Sequence, residues 1–248
     1  MQKNLIKTKN LLAISLIALL TPAYAATNTP ARAYPSGLDV VIKIGNDLYT
    51  TLDPSFKKVV NPTVISVIQL DAPVIAPIQE SRHGLLGQVS VSTGFISLLN
   101  HIAHAKAIDR VQPGYFNQYV ADLARVNTGE IPPAPRGLEY GRYWTDDVMV
   151  EQTSLFNQMI GLTLAMNLSH HYLAHSVKYA AQMPDGKSAP INNLITANEW
   201  AATVECATLN SLDCALATAG AKTLFETIDQ MPRRPAWTAC IVPESVNI

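Results

Sequence analysis

"AMNLSHHYLAHSVKY", residues 165–179, holds three of the six histidines in this 248-residue chain. His171 and His175 stand four apart, and on a helix that spacing stacks two side chains on one face. Asn167 and Leu164 extend the line towards the N-terminus, whereas Leu168, Tyr172 and Val177 lie off it. Neutral imidazoles so placed reach a shared zinc ion at about 2.0–2.1 Å, and a third protein ligand is then required. The competing reading is a pair of core or surface histidines satisfied by hydrogen bonds. Either way, the pattern predicts a long helix over about 145–181, broken near its start and stopped by Pro184, Asp185 and Gly186.

Outward from that helix, apolar spacing predicts others. "TGFISLLNHIAHAKAIDR" places Phe95, Leu98, Leu99, Ile102 and Ala105 at helical intervals over 93–110. A short helix follows Pro113 in "GYFNQYVADLARV". Thr196 with Glu199 three residues on is a capping-box pattern, opening a helix to about residue 219, before Gly220. "KTLFETIDQM" reads as a last helix ended by Pro232, and "RRPAWTACIVP" as an extended tail clamped by an Arg–acid contact. Residues 38–93 read instead as strands: "LDVVIKIG" and "NDLYTTLDP" as a hairpin turning near Gly45-Asn46, then "PTVISVIQLD" and "GQVSVST". The expected class is α+β, a small N-terminal antiparallel sheet packed against a mainly helical core that carries the HxxxH helix and a glutamate helix.

The helix after Thr196 carries a polar stripe: Glu199, Thr203, Cys206, Asn210 and Asp213, at spacings of 4, 3, 4 and 3. Such a stripe faces water or lines a polar cleft; its short side chains and lack of lysine favour the cleft. Glu199 is therefore the candidate third ligand, with Glu205, about 240° round the helix, in reserve. Two histidines on the 93–110 helix, His101 and His104, are three apart, which brings His104 into consideration as a fourth ligand or acid–base group if the helices pack side by side. His170 is about 100° round from His171 and suits a hydrogen bond that orients a ligand or a loop.

"HYLAH" at 171–175 resembles the HExxH helix of gluzincin zinc metallopeptidases, with Tyr172 where the family has glutamate. "EWAAT" at 199–203 is similar to the segment that brings that family's glutamate ligand. "GQVSVSTGFISLLN" at 87–100 looks like the strand and following helix of the CaaX-prenyl-protease-type members, in a minimal soluble form. The order strand, helix, HxxxH helix, glutamate helix spans roughly residues 85–220. The resemblance implies zinc, or another divalent transition metal, on His171, His175 and Glu199. It also implies a hydrolase acting on peptides or cell-envelope material.

Tyr172 is the departure. An unperturbed tyrosine, with a pKa near 10, is a poor general base at neutral pH, and losing a positioned acid–base group reduces rate by about 10²–10⁴. Any catalytic contribution would fall to Tyr172 itself, His170 or His104. The alternative is a non-catalytic binding or structural descendant of the same architecture.

The ends and the composition bound these readings. Residues 1–25, with Lys3, Lys7 and Lys9 ahead of an apolar run and Ala23-Tyr24-Ala25 after it, read as a signal peptide. Residues 26–37 read as a mobile leader, and 38–248 as one domain. Removing three lysines and no acid takes the formal charge from −1 to about −4. That excludes any basic footprint for nucleic acid. No later stretch is long and apolar enough for stable membrane insertion, so the expected product is exported, periplasmic or secreted. Three cysteines, Cys206, Cys214 and Cys240, leave one pair or three thiols equally open.

Overall fold

The computed structural model describes Tyr34 and residues 37–68, 78–83, 86–126, 130–179, 182 and 191–246; for 61–68, 78–83 and 86–88 it describes the backbone alone. The expected signal over 1–25, most of the leader, the Pro184-Asp185-Gly186 stop and the His83 side chain lie outside the described residues.

The axis of the molecule is α5, Asp146–Tyr172. Every residue from Met159 to His171 on it is buried, and a helix enclosed on all sides is an internal column, not an amphipathic surface element. Around it pack α1 (Leu38–Thr51), α3 (Thr93–Asp109), α7 (Ala197–Asp213) and α8 (Ala219–Asp229). The shorter α2 (Pro54–Lys57) and α4 (Tyr115–Leu123) flank this core. A polar clamp fixes α3 on α5: Gln152 Nε2 donates to Asn100 Oδ1 at 2.7 Å, with both residues buried. Gly220 seats α8, because its backbone N–H donates to Gln158 Oε1 at 2.7 Å. A Cβ there would come within 2.5 Å of the Leu155 carbonyl oxygen, so only hydrogen fits.

The structure is mainly helical, as expected, but two expectations about its N-terminal third are corrected. Residues 38–51, read as a hairpin, form α1. The β-branched residues there suggest a strand, yet the buried set is Val41, Ile44, Gly45 and Leu48, a helical 3-1-3 spacing. On the solvent side, Lys43 and Asp47 pair at 2.6 Å. Tertiary burial of one helical face overrides the local strand preference. The sheet is also mixed. Its order is β1 (Val60–Ile68), β3 (Leu86–Ser92), β2 (Ile78–His83), with β1 parallel and β2 antiparallel to β3. Alternation of side chains identifies strands without fixing their relative direction.

The central strand β3 buries Val89 and Val91 and runs straight into α3, where the Ser92 hydroxyl accepts from the Phe95 N–H at 3.1 Å as N-cap. At the far end, the expected extended tail instead contains a 3₁₀ turn, Ala236–Cys240, with Trp237 buried. Arg234 does clamp this tail, but through carbonyls rather than an acid: its Nη1 donates to Val246 O at 2.7 Å and Pro243 O at 3.3 Å. All three cysteines are thiols, Cys240 buried and the other two half-buried.

Candidate functional site: a buried histidine cluster

The α5 column does not continue to residue 181. It stops at Tyr172, and Ala174 adopts a left-handed conformation (φ 61°) before α6, His175–Lys178. The chain therefore turns within the HxxxH segment itself. That single backbone change removes the premise of the i,i+4 pair, because His171 and His175 no longer share a helical face.

The structure pairs His170 with His175 instead. Their Nδ1 atoms lie 3.0 Å apart, and His170 Nε2 lies 3.1 Å from Asn192 Oδ1. All three residues are buried. Burial, reinforced by the neighbouring imidazoles of His175 and His171, lowers the His170 pKa to about 3, so the ring is neutral. The bond to the Asn192 oxygen then places its one proton on Nε2 and leaves Nδ1 as the acceptor. It follows that His175 Nδ1–H donates to His170. His170 thus accepts from His175 and donates to Asn192. His171 turns to another partner: its Nδ1 lies 3.1 Å from the Ser176 hydroxyl.

Glu199 sits in the first turn of α7 and closes the capping box read from the sequence. Its Oε2 accepts from the Thr196 N–H (2.9 Å), the Thr196 hydroxyl (2.9 Å) and the Tyr179 hydroxyl (2.8 Å). Its Oε1 accepts from Lys178 Nζ at 2.6 Å. Burial acts to raise its pKa, but the hydrogen bonds from Lys178, Thr196 and Tyr179 prevail and hold it far below the usual carboxylate range. Glu199 does influence His175, where burial lowers the pKa, the carboxylate opposes that, and Lys178 adds to it.

Tyr172 faces away from the histidines. Its hydroxyl lies 2.5 Å from the Ser169 hydroxyl, and its ring stacks on Phe56 with centroids 4.4 Å apart. Burial pushes its pKa up to about 12, against a lowering by Ser169, so it is no base at neutral pH. His104 is committed on α3. Its Nε2 donates to the Tyr143 carbonyl at 2.6 Å, its Nδ1 accepts from the Tyr34 hydroxyl at 3.1 Å, and Trp144 packs at its edge. With both nitrogens taken, it has no lone pair to offer an ion held by His171 or His175. His101 packs its edge against the same Tyr34 ring. Glu205, the reserve ligand, is exposed.

Among the described residues, no three His, Cys, Asp or Glu side chains come together to hold an ion. The expected set of His171, His175 and Glu199 is divided among a serine hydroxyl, a second imidazole and a helix cap. What the arrangement does provide is a neutral, desolvated hydrogen-bond chain from His175 through His170 to Asn192. Sequence reasoning missed Asn192, Ser176 and Tyr179, which lie in short turns with no periodic signal. Comparison of the chain with protein-family models, with curated proteins and with solved structures finds no match.

Proposed function

We propose that this chain is an exported, non-catalytic binding protein of gluzincin-like order, in which a histidine hydrogen-bond network takes the place of a peptidase metal centre. The order β3, α3, α5, α7 supports the resemblance, because it follows the succession of strand and helices expected from residues 85–220. One observation carries the loss of catalysis: the Glu199 carboxylate accepts four hydrogen bonds, from Thr196, Tyr179 and Lys178. Freeing it for a metal means breaking a helix cap and an ion pair together. Tyr172 adds to the case, since the position that would hold the general base is turned onto Phe56 and Ser169.

Purified without an affinity tag, the chain is expected to carry far less than one metal ion per molecule. It should cleave no member of a broad peptide library, and Tyr172→Glu should not create activity, because Glu199 stays bound in its cap. One zinc per chain that disappears in His171→Ala/His175→Ala, or hydrolysis gained with Tyr172→Glu, would overturn the proposal in favour of a working or recoverable hydrolase.

A further inference from the structure

Beside Tyr172, a cleft of about 340 Å³ opens between the α1–α2 junction and α7. Its size falls in the range of small-molecule sites. The stacked rings of Phe56 and Tyr172, with Leu52 and Leu209, form an apolar wall. Among the described residues its charged groups are both acids, Asp53 and Asp213. Asp53 Oδ1 caps α2, accepting from the Ser55 N–H at 2.7 Å and its hydroxyl at 2.5 Å, which leaves the second oxygen for another donor. Asp213 makes no ion pair among the described residues. Lys57 donates to the Thr50 carbonyl at 2.8 Å and makes no ion pair with Asp53 among the described residues, although its charge reaches that carboxylate.

A third group is independent of the acids. Asn210 lines the cleft and is only 6% exposed. Its amide nitrogen donates to the Leu48 carbonyl (3.2 Å) and the Thr51 hydroxyl (2.9 Å), which fixes which end is nitrogen. Its Oδ1 is buried with no donor among the described residues. Buried acceptors are normally satisfied; this one is closed to solvent, so an N–H from the cleft reaches it only with a small movement of the side chains that cover it. Two carboxylates, an orphan acceptor and a wall of rings and aliphatic side chains together describe a cation with several N–H bonds and an apolar body. Aromatic faces attract such a cation further.

We propose that this cleft binds a protonated amine on a hydrocarbon arm, whether a free alkylammonium or the side chain of a lysine in a peptide. The cleft uses no residue of the histidine cluster, so the proposal stands or falls apart from the absence of a metal centre.

The test is amide NMR of the full chain titrated with n-hexylammonium, 1-hexanol and a blocked Gly-Lys-Gly peptide. A ligand of this size in a preformed cleft is expected to bind with a Kd of about 1 mM or tighter. Shifts should be confined to residues such as Phe56, Cys206 and Asn210. Hexanol should bind at least about tenfold more weakly, since it lacks the charge and two of the donors. Asp53→Asn/Asp213→Asn, which keeps a capping side chain at 53, should weaken the ammonium by about fivefold or more. The single Asp213→Asn serves if the double variant does not fold. Saturation by hexylammonium alone identifies a free amine as ligand, and preference for the peptide identifies a lysine. The proposal fails if hexanol binds equally well, if the carboxamide variants bind undiminished, or if no shift appears at about 10 mM, roughly tenfold above the expected Kd.

Discussion

Acidification between pH 7 and pH 5 should destabilise this protein through its histidines before any carboxylate is involved. His170 has a folded pKa of about 3 against an ordinary 6.5, because burial disfavours its charged form. As pH falls below 6.5 the unfolded chain takes up a proton that the folded chain refuses, so stability is full above 6.5 and is lost towards 3. Each pH unit inside that window removes about 1.4 kcal/mol. At pH 5, one and a half units in, His170 alone removes about 2 kcal/mol, a large share of a typical 5–15 kcal/mol. His101, lowered to about 4 by burial and by His104, acts in the same direction, as do His104 and His175. Glu199 and Asp53 carry the opposite shift, below the usual carboxylate value, and their contribution is lost only at lower pH. Urea unfolding at pH 7 and pH 5, followed by tryptophan fluorescence, measures the difference. In His170→Asn the baseline stability changes at both pH values, but the gap between them should shrink by about 2 kcal/mol. A gap unchanged from wild type would refute a neutral, desolvated His170.

Other substitutions test separate pieces of the architecture. Ala174→Gly should stabilise the fold by up to about 1 kcal/mol, read as a higher urea midpoint, because it relieves the left-handed conformation of a residue with a Cβ. Glu199→Ala should destabilise by about 1–2 kcal/mol through loss of the capping box and its Tyr179 bond, measurable by thermal unfolding at pH 7. Gly220→Ala should destabilise by about 1–3 kcal/mol, since the added methyl meets the Leu155 carbonyl and Gln158, and calorimetry would register it as a lower Tm.

Helix α3 and the start of α7 were legible because apolar spacing and caps are local signals, although α7 ends at Asp213, short of the expected 219. Thr93–Asp109 and the Thr196 capping box match the sequence reading closely. Residues 38–51 were misread because Val40, Val41, Ile42 and Ile44 favour strands locally, and only packing of Val41, Ile44 and Leu48 against the core selects the helix. Two physical features set the candidate site apart from its sequence reading. A helix-compatible spacing does not guarantee helix, and at Leu173 and Ala174 the backbone turns. In addition, the capping box and the proposed metal ligand compete for one carboxylate: a glutamate that closes a box already has its partners. Asn192 and Tyr179 depend on contacts between separate segments, for which spacing along the chain carries no signal.

The central claim is that Glu199 and the two histidines do not act together on an ion. Calorimetric zinc titration of the wild type beside His171→Ala, His175→Ala and Glu199→Gln tests it most directly. The account predicts weak, sub-stoichiometric zinc binding that Glu199→Gln leaves unchanged. Tight binding of one zinc per chain, weakened at least about tenfold by each of the three substitutions, would contradict it.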